Sequence, residues 1–195
     1  MTVFCATGNP GKLREFRLAA EQAGIQVETV PGLAGMQPCE ETGATFEANA
    51  ILKAEYYGRH APGPLFADDS GLEVDALGGA PGVYSARFAG PHATDAANNQ
   101  LLLDRMRGLP DRSARFVCVI ALADGRGSIE TFRGAVEGRI LAEPRGPNGF
   151  GYDPLFYYPP FGCSFGEAAP ERKLTVSHRG AALRALFRRL SAEGL

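Results

Sequence analysis

A chain of 195 residues with 45% hydrophobic and 22% charged residues suits one globular domain, of one or two lobes, over residues 1–195. A chain of this size buries roughly 70% of its unfolded surface, so it can build a substantial core. Its formal net charge of −2 gives no global field to gather nucleic acid or an anionic membrane. Neither is an expected partner, and any anionic ligand must be met by local charge.

The run Val3–Ala6 is short and apolar, as in a buried strand. Asn9 then suits a helix N-cap and Pro10 the first helical position. Leu13, Phe16 and Ala20 form an apolar stripe, and Gly24 can end the helix. Ile25–Val30 alternates as a second strand, and residues 31–43 read as a loop carrying Glu40 and Glu41. A helix is predicted from about Thr45 to Gly58, with Phe46, Ala50, Ala54 and Tyr57 on one face. Asn49 and Lys53, four residues apart, share another face. Residues 64–67 read as a strand ending at Asp68-Asp69-Ser70-Gly71, followed by a Gly-rich stretch from Leu77 to Gly82.

Thr94 caps a predicted helix from about Asp95 to Met106, which Gly108 and Pro110 stop. Residues 115–123 form a long apolar strand, and Asp124-Gly125-Arg126-Gly127 turns it into a hairpin partner over residues 128–136. The last helix starts near Ser177, with Leu183, Leu186, Phe187 and Leu190 at helical spacing. Strand–helix alternation followed by a hairpin predicts an α/β fold with a mixed sheet flanked by helices.

The four cysteines contain no C-x-x-C pair, and His60, His92 and His178 are far apart, so there is no zinc signature. No basic-then-apolar leader opens the chain, and no apolar run approaches the ~20 residues of a membrane span. A reduced, cytoplasmic setting is expected.

Three segments have the chemistry of a site. The run Thr7-Gly8-Asn9-Pro10-Gly11-Lys12 would bring backbone N–H groups and the positive end of a helix to one point, with the Lys12 ammonium beside them. It lacks Walker spacing, and a plain strand-to-helix turn would use similar residues. Glu40-Glu41 and Asp68-Asp69 offer the oxygen ligands that magnesium prefers, Asp68-Asp69 at a strand end. Neighbours in an extended chain point opposite ways, so at least one aspartate would face a site. Either pair also suits a solvated turn. In the third segment, Phe150 offers a stacking face for a base, and His178 and Arg179 offer donors for a base carbonyl; a lone His and Arg there are more often surface or capping residues. Lys173, in a short charged stretch, says little alone.

Taken in order, the runs Ala6–Lys12, Glu40–Ala54, Ala67–Leu72, Val74–Phe88, Gly149–Pro154 and Ser177–Gly180 resemble the inosine/xanthosine triphosphate pyrophosphatase family. The likeness spans nearly the whole chain. Ala48 departs from it, standing where the family usually has a glutamate, and residues 159–171 are the least similar. The resemblance implies an elongated mixed β-sheet flanked by helices, two lobes with a central substrate cleft, a homodimer and Mg²⁺ dependence. It also implies hydrolysis of ITP, dITP and XTP at the α–β phosphate bond.

Joined to the resemblance, the residues take roles. Thr7, Gly8, Asn9, Pro10, Gly11 and Lys12 would cradle the triphosphate, with Lys53 assisting. Glu40 or Glu41, with Asp69, would hold Mg²⁺, and Asp69 would deprotonate the attacking water. Ser70 would touch the nucleotide. Phe150, Gly151, Tyr152, Asp153, Lys173, His178 and Arg179 would surround the base. The rival readings are a related pyrophosphatase for pyrimidine or modified nucleotides, a nucleotide-binding module without catalysis, and an interaction domain.

Overall fold

The computed structural model describes residues 1–192. Its seven strands are β1 (Thr2–Cys5), β2 (Gln26–Thr29), β3 (Leu65–Val74), β4 (Ser113–Ala123), β5 (Ile129–Ile140), β6 (Phe156–Tyr158) and β7 (Cys163–Ser164). They form one sheet in the order β2-β1-β3-β4-β5-β6-β7. β1 pairs parallel to β2 and β3, while β5–β6 and β6–β7 are antiparallel, so the sheet is mixed as predicted. The parallel pairs require crossovers, supplied by α1 (Pro10–Ala23) and α2 (Phe46–Gly58). The other helices are α3 (Asp95–Arg105), α4 (Pro170–Val176) and α5 (His178–Ala192).

Local chemistry sets the helix starts. Asn9 Oδ1 accepts the N–H groups of Gly11 and Lys12 at 2.8 and 3.1 Å. Thr45 Oγ1 accepts the Ala48 N–H, and Thr94 Oγ1 the Ala97 N–H, each at 3.1 Å. Such caps satisfy donors that the first helical turn leaves open. α1 ends at Gly24, whose φ of 66° is left-handed and whose N–H returns to the carbonyls of Ala20 and Glu21.

The chain divides into two compact units. The first comprises residues 1–69, 118–134 and those from His178 onward; the second comprises Ser70–Val117 and Ala135–Ser177. In the first unit, α5 packs on α1, and Phe16 meets Phe66 edge-on with ring centroids 5.0 Å apart. The second unit is built on a cluster that includes Leu72, Leu102, Met106, Phe116, Phe156 and Phe165. Within it, Phe116 and Phe156 have ring centroids 4.5 Å apart.

The clearest departure from the sequence reading lies in β3. Its predicted end is Ala67, yet it continues to Val74, so Asp68 and Asp69 lie buried within a strand. β3 has β1 on one side and β4 on the other, which satisfies its backbone, and each carboxylate meets a cation. Two adjacent carboxylates read as the end of the strand, but paired charges are compatible with a buried strand. β5 also runs past its predicted end at residue 136, and α4, absent from the prediction, carries Lys173.

All four cysteines are free thiols. Cys5 and Cys118 are buried, and burial, followed by the charge of Asp68, pushes both thiols up to about 12. Cys39 and Cys163 are half-buried. Alkylation of the native protein at pH 8, read by mass spectrometry, is expected to modify Cys39 and Cys163, whereas Cys5 and Cys118 react only after denaturation. Native labelling of Cys118 at the rate of Cys163 would contradict this. No helix among the described residues is long and apolar enough to cross a membrane.

Candidate active site

In the first unit, the turn between β1 and α1 brings Thr7–Lys12 to the positive end of a helix. Thr7 Oγ1 accepts the Asn9 N–H at 3.2 Å, which tightens the turn. The Asn9 carboxamide already accepts two of the helix-start N–H groups. An incoming phosphate would share those donors with the cap and rely more on the helix end and the Lys12 charge.

Alternation along β3 sends its two aspartates to different partners. Asp68 Oδ2 lies 2.8 Å from Lys12 Nζ and 3.8 Å from Arg179 Nη2. Arg179, itself buried, reaches Glu15 with Nη1 at 2.5 Å. Burial pushes the Asp68 carboxyl up, but Lys12, Arg179 and Lys53 together hold it down to about 2. Burial likewise opposes the charge on Arg179, yet Glu15 and Asp68 raise its pKa above the ordinary arginine value. This network is one of fixed charges that also orients Lys12.

Asp69 has different surroundings. Lys53 Nζ donates to its Oδ1 at 3.0 Å and Asn49 Nδ2 to its Oδ2 at 3.2 Å. Lys53 also reaches Glu41 Oε1 at 3.2 Å. Burial raises the Asp69 carboxyl above the usual aspartate range; Lys53 opposes this and Glu41 adds to it. Lys53 is disfavoured as a cation by burial, but Asp69, Asp68 and Glu41 prevail and raise it. Two neighbouring carboxylates are thus pushed in opposite directions. Asp68 is held below the usual aspartate range and Asp69 above it, so Asp69 is the stronger proton acceptor.

Glu41 therefore joins the Asp69 cluster, whereas Glu40 is exposed. Among the described residues, no three His, Cys, Asp or Glu side chains are grouped to hold a metal ion. The Lys53 ammonium does lie within 3.2 Å of both Glu41 and Asp69, so one cation can face both carboxylates. Hard oxygen donors of this kind fit Mg²⁺, which commonly takes one or two carboxylates and completes its shell with phosphate and water.

His178 and Arg179 open α5, and β5 explains their depth. Gly134 lies so close beneath the start of α5 that a Cβ there would overlap the His178 carbonyl and the Ala182 N–H. A glycine inside a strand often marks such a close backbone approach.

The second unit holds Gly149–Asp153. Gly149 has a φ of 77°, and a Cβ on it would collide with the Asp153 side chain. Asp153 Oδ2 accepts the Phe150 N–H at 2.9 Å and Lys173 Nζ at 2.5 Å. That ammonium lies 5.2 Å from the Phe150 ring centroid. Asp95 accepts the Gly151 N–H at 2.7 Å, and Asn99 donates to the Gly151 carbonyl at 3.0 Å. Tyr152 is buried in the core and donates its hydroxyl to the Ser85 carbonyl at 2.8 Å, so its backbone alone is available to a ligand. Ser70 follows Asp69 on β3 and is half-buried.

The sequence-predicted residues thus form two sets. Lys12, Glu41, Lys53, Asp68, Asp69 and Arg179 make an ionic network in the first unit, and Phe150, Asp153 and Lys173 make a cluster in the second. Sequence reasoning missed Glu15, Asp95 and Asn99, for which only their helical positions gave any signal. It noticed Asn49 beside Lys53 and assigned it no role.

The profile of the Ham1 family matches residues 3–189. The chain belongs to the Ham1 family. It is 54% identical to a Thermus thermophilus protein named dITP/XTP pyrophosphatase, over 96% of this chain and 90% of the relative. It is 51% identical to a protein of the same name from Acidobacterium capsulatum, over 97% and 98%. The solved Ham1 protein of Staphylococcus aureus superposes with a TM-score of 0.87 at 40% identity, covering 99% of this chain and 100% of the other. A Mycobacterium abscessus structure, described as a nucleoside-triphosphatase and dITP/XTP pyrophosphatase, gives 0.74 at 41% identity, over 95% and 97%. In this Ham1 chain, the small Ala48 lies where Gly43 comes close to α2: a Cβ on Gly43 would be 2.8 Å from that of Ala48.

Proposed function

We propose that the chain hydrolyses deaminated purine nucleoside triphosphates (ITP, dITP and XTP) to the monophosphate and pyrophosphate, removing them from the nucleotide pool. The observation that carries this reading is the geometry within β3, where Asp69, clamped by Lys53 and Asn49, sits beside Asp68, which holds Lys12 at the start of α1. The names of the relatives and the ordered motifs support the substrate class.

In this reading Thr7–Lys12 and Lys53 receive the triphosphate. Asp69 takes a proton from water as the water oxygen bonds to the α-phosphorus. The bond from that phosphorus to the bridging oxygen breaks, and pyrophosphate leaves. Mg²⁺ would be held by Asp69 with Glu41 or Glu40, and when bound it neutralises charge on the phosphate oxygens. Positioning and charge neutralisation carry the rate, because phosphoryl-type transfer leaves little covalent work for the protein.

The base is read by Phe150, Gly151, Tyr152, Asp153, Lys173, His178 and Arg179, and Ser70 touches the nucleotide. Hypoxanthine and xanthine present an acceptor at O6, where adenine presents a donor. A donor facing O6 would leave polar groups unpaired with ATP, at a cost of about 1–3 kcal/mol each. The working form is a cytoplasmic homodimer.

The test is pyrophosphate release from ITP, dITP, XTP, ATP and GTP, with Mg²⁺ and with the metal chelated. Release from the three deaminated nucleotides is expected to exceed that from ATP by at least about fivefold, as one lost hydrogen-bond match implies. Chelation should abolish it. Equal turnover of ATP would refute the specificity, and binding without pyrophosphate release would leave a nucleotide-binding module.

A further inference from the structure

Resting on Asp69 as the base, we propose that Asn49 is a positioning residue that latches the acidic loop of residues 40–43 to the Asp69 carboxylate. Asn49 is fully buried on α2, one turn before Lys53. Its Nδ2 donates to Asp69 Oδ2 at 3.2 Å, and its Oδ1 accepts the Gly43 N–H at 2.8 Å. Lys53 makes the parallel bridge, from Asp69 Oδ1 at 3.0 Å to Glu41 Oε1 at 3.2 Å.

Each oxygen of Asp69 is therefore held by one member of an i, i+4 pair, and the same pair holds the loop at two points. Lys53 grips the Glu41 side chain and Asn49 grips the Gly43 backbone. The two bridges differ in kind. The lysine is flexible and its ion pairs have little directional preference, whereas a planar carboxamide fixes both the plane of the carboxylate and the height of the loop. The loop side is equally specific. A Cβ on Gly43 would lie 2.6 Å from Asn49 Oδ1 and 2.9 Å from its backbone nitrogen, so only glycine lets the loop approach this closely. The Asn49 side chain thus fixes the Asp69 carboxylate against the loop that carries Glu41.

Misplacing a catalytic group by about 1 Å can cost about 10²-fold in rate, and removal of a supporting residue commonly costs about 10–100-fold. Asn49→Ala is therefore expected to lower kcat for ITP by about 10²-fold, with KM within about threefold of wild type. Gly43→Ala should produce the same split from the loop side, and it remains testable if Asn49→Ala does not fold. The double variant should lose little more than either single one, because both break one latch. Hydrogen exchange on the metal-free protein gives a readout independent of turnover. The Gly43 amide is expected to exchange at least about tenfold faster in Asn49→Ala, since its acceptor is gone.

A kcat within threefold of wild type, a loss carried by KM alone, or unchanged Gly43 exchange would overturn the inference. Failure of the wild-type protein itself to release pyrophosphate would refute the catalytic reading instead. The exchange result would still report on the latch.

Discussion

Replacing Asp69 with asparagine is expected to lower pyrophosphate release from ITP by about 10³-fold or more while nucleotide binding survives. General base catalysis contributes roughly 10²–10⁴-fold, and an amide cannot accept the proton from water. The substitution preserves shape and volume. Lys53 keeps Glu41 as a partner, and Asp68 contributes to its field. The new amide has one oxygen for two donors, Lys53 and Asn49, so one contact is lost, which Glu41 offsets for Lys53. Neutralising Asp69 also removes the cost of keeping a carboxylate that burial disfavours. Stability should therefore change little. Single-turnover pyrophosphate release separates the chemical step from binding, and calorimetry with ITP measures the binding. Activity above about a tenth of wild type would remove Asp69 as the base.

Arg179→Ala is expected to act first on stability. The guanidinium is buried between Glu15 and Asp68, and its removal leaves two carboxylates short of a partner. Breaking a buried ion pair from one side typically costs about 3–5 kcal/mol. For a chain of this size, that is a fall in Tm of about 6–20 °C. Arg179→Lys keeps the charge and should lose less, though lysine cannot reproduce the planar fork that meets both acids. Differential scanning calorimetry of the two variants checks this ranking; an unshifted Tm for Arg179→Ala would mean that the Glu15–Arg179–Asp68 network contributes nothing to stability. With the folded fraction held above nine-tenths by working at low temperature, the preference for ITP over ATP should also narrow. An unchanged preference would show that the base is read by other residues.

Much of this was legible in the sequence because it is local. Asn9-Pro10, Thr45 and Thr94 name their helix starts through hydrogen bonds that span three residues or fewer. Gly24 names a helix end through its own backbone freedom. The hairpin over β4 and β5 separated a mixed sheet from a purely parallel one. The ordered strings marked the candidate site residues, and the i, i+4 spacing of Asn49 and Lys53 put them on one helix face.

Other features were not legible because their causes lie far apart in the chain. Asp68-Asp69 looked like the polar end of a strand, since a pair of carboxylates inside β3 is affordable only with cations from α1, α2 and α5. Tyr152 sat in a string of expected ligand residues, yet its ring is buried and its hydroxyl meets Ser85, 67 residues away. Glu15 carried no signal beyond its place on α1, because its partner Arg179 is 164 positions downstream.

By itself the sequence determined the mixed α/β class, the capped helix beside Lys12 and the set of charged residues from which a site can be built. Tertiary structure alone decided which carboxylate has its pKa lowered and which has it raised. The pleat of β3 is a local property and dictates only that its two aspartates face apart. Their proton affinities depend on burial and on the distances to Lys12, Lys53, Glu41 and Arg179, and only the folded chain sets those distances.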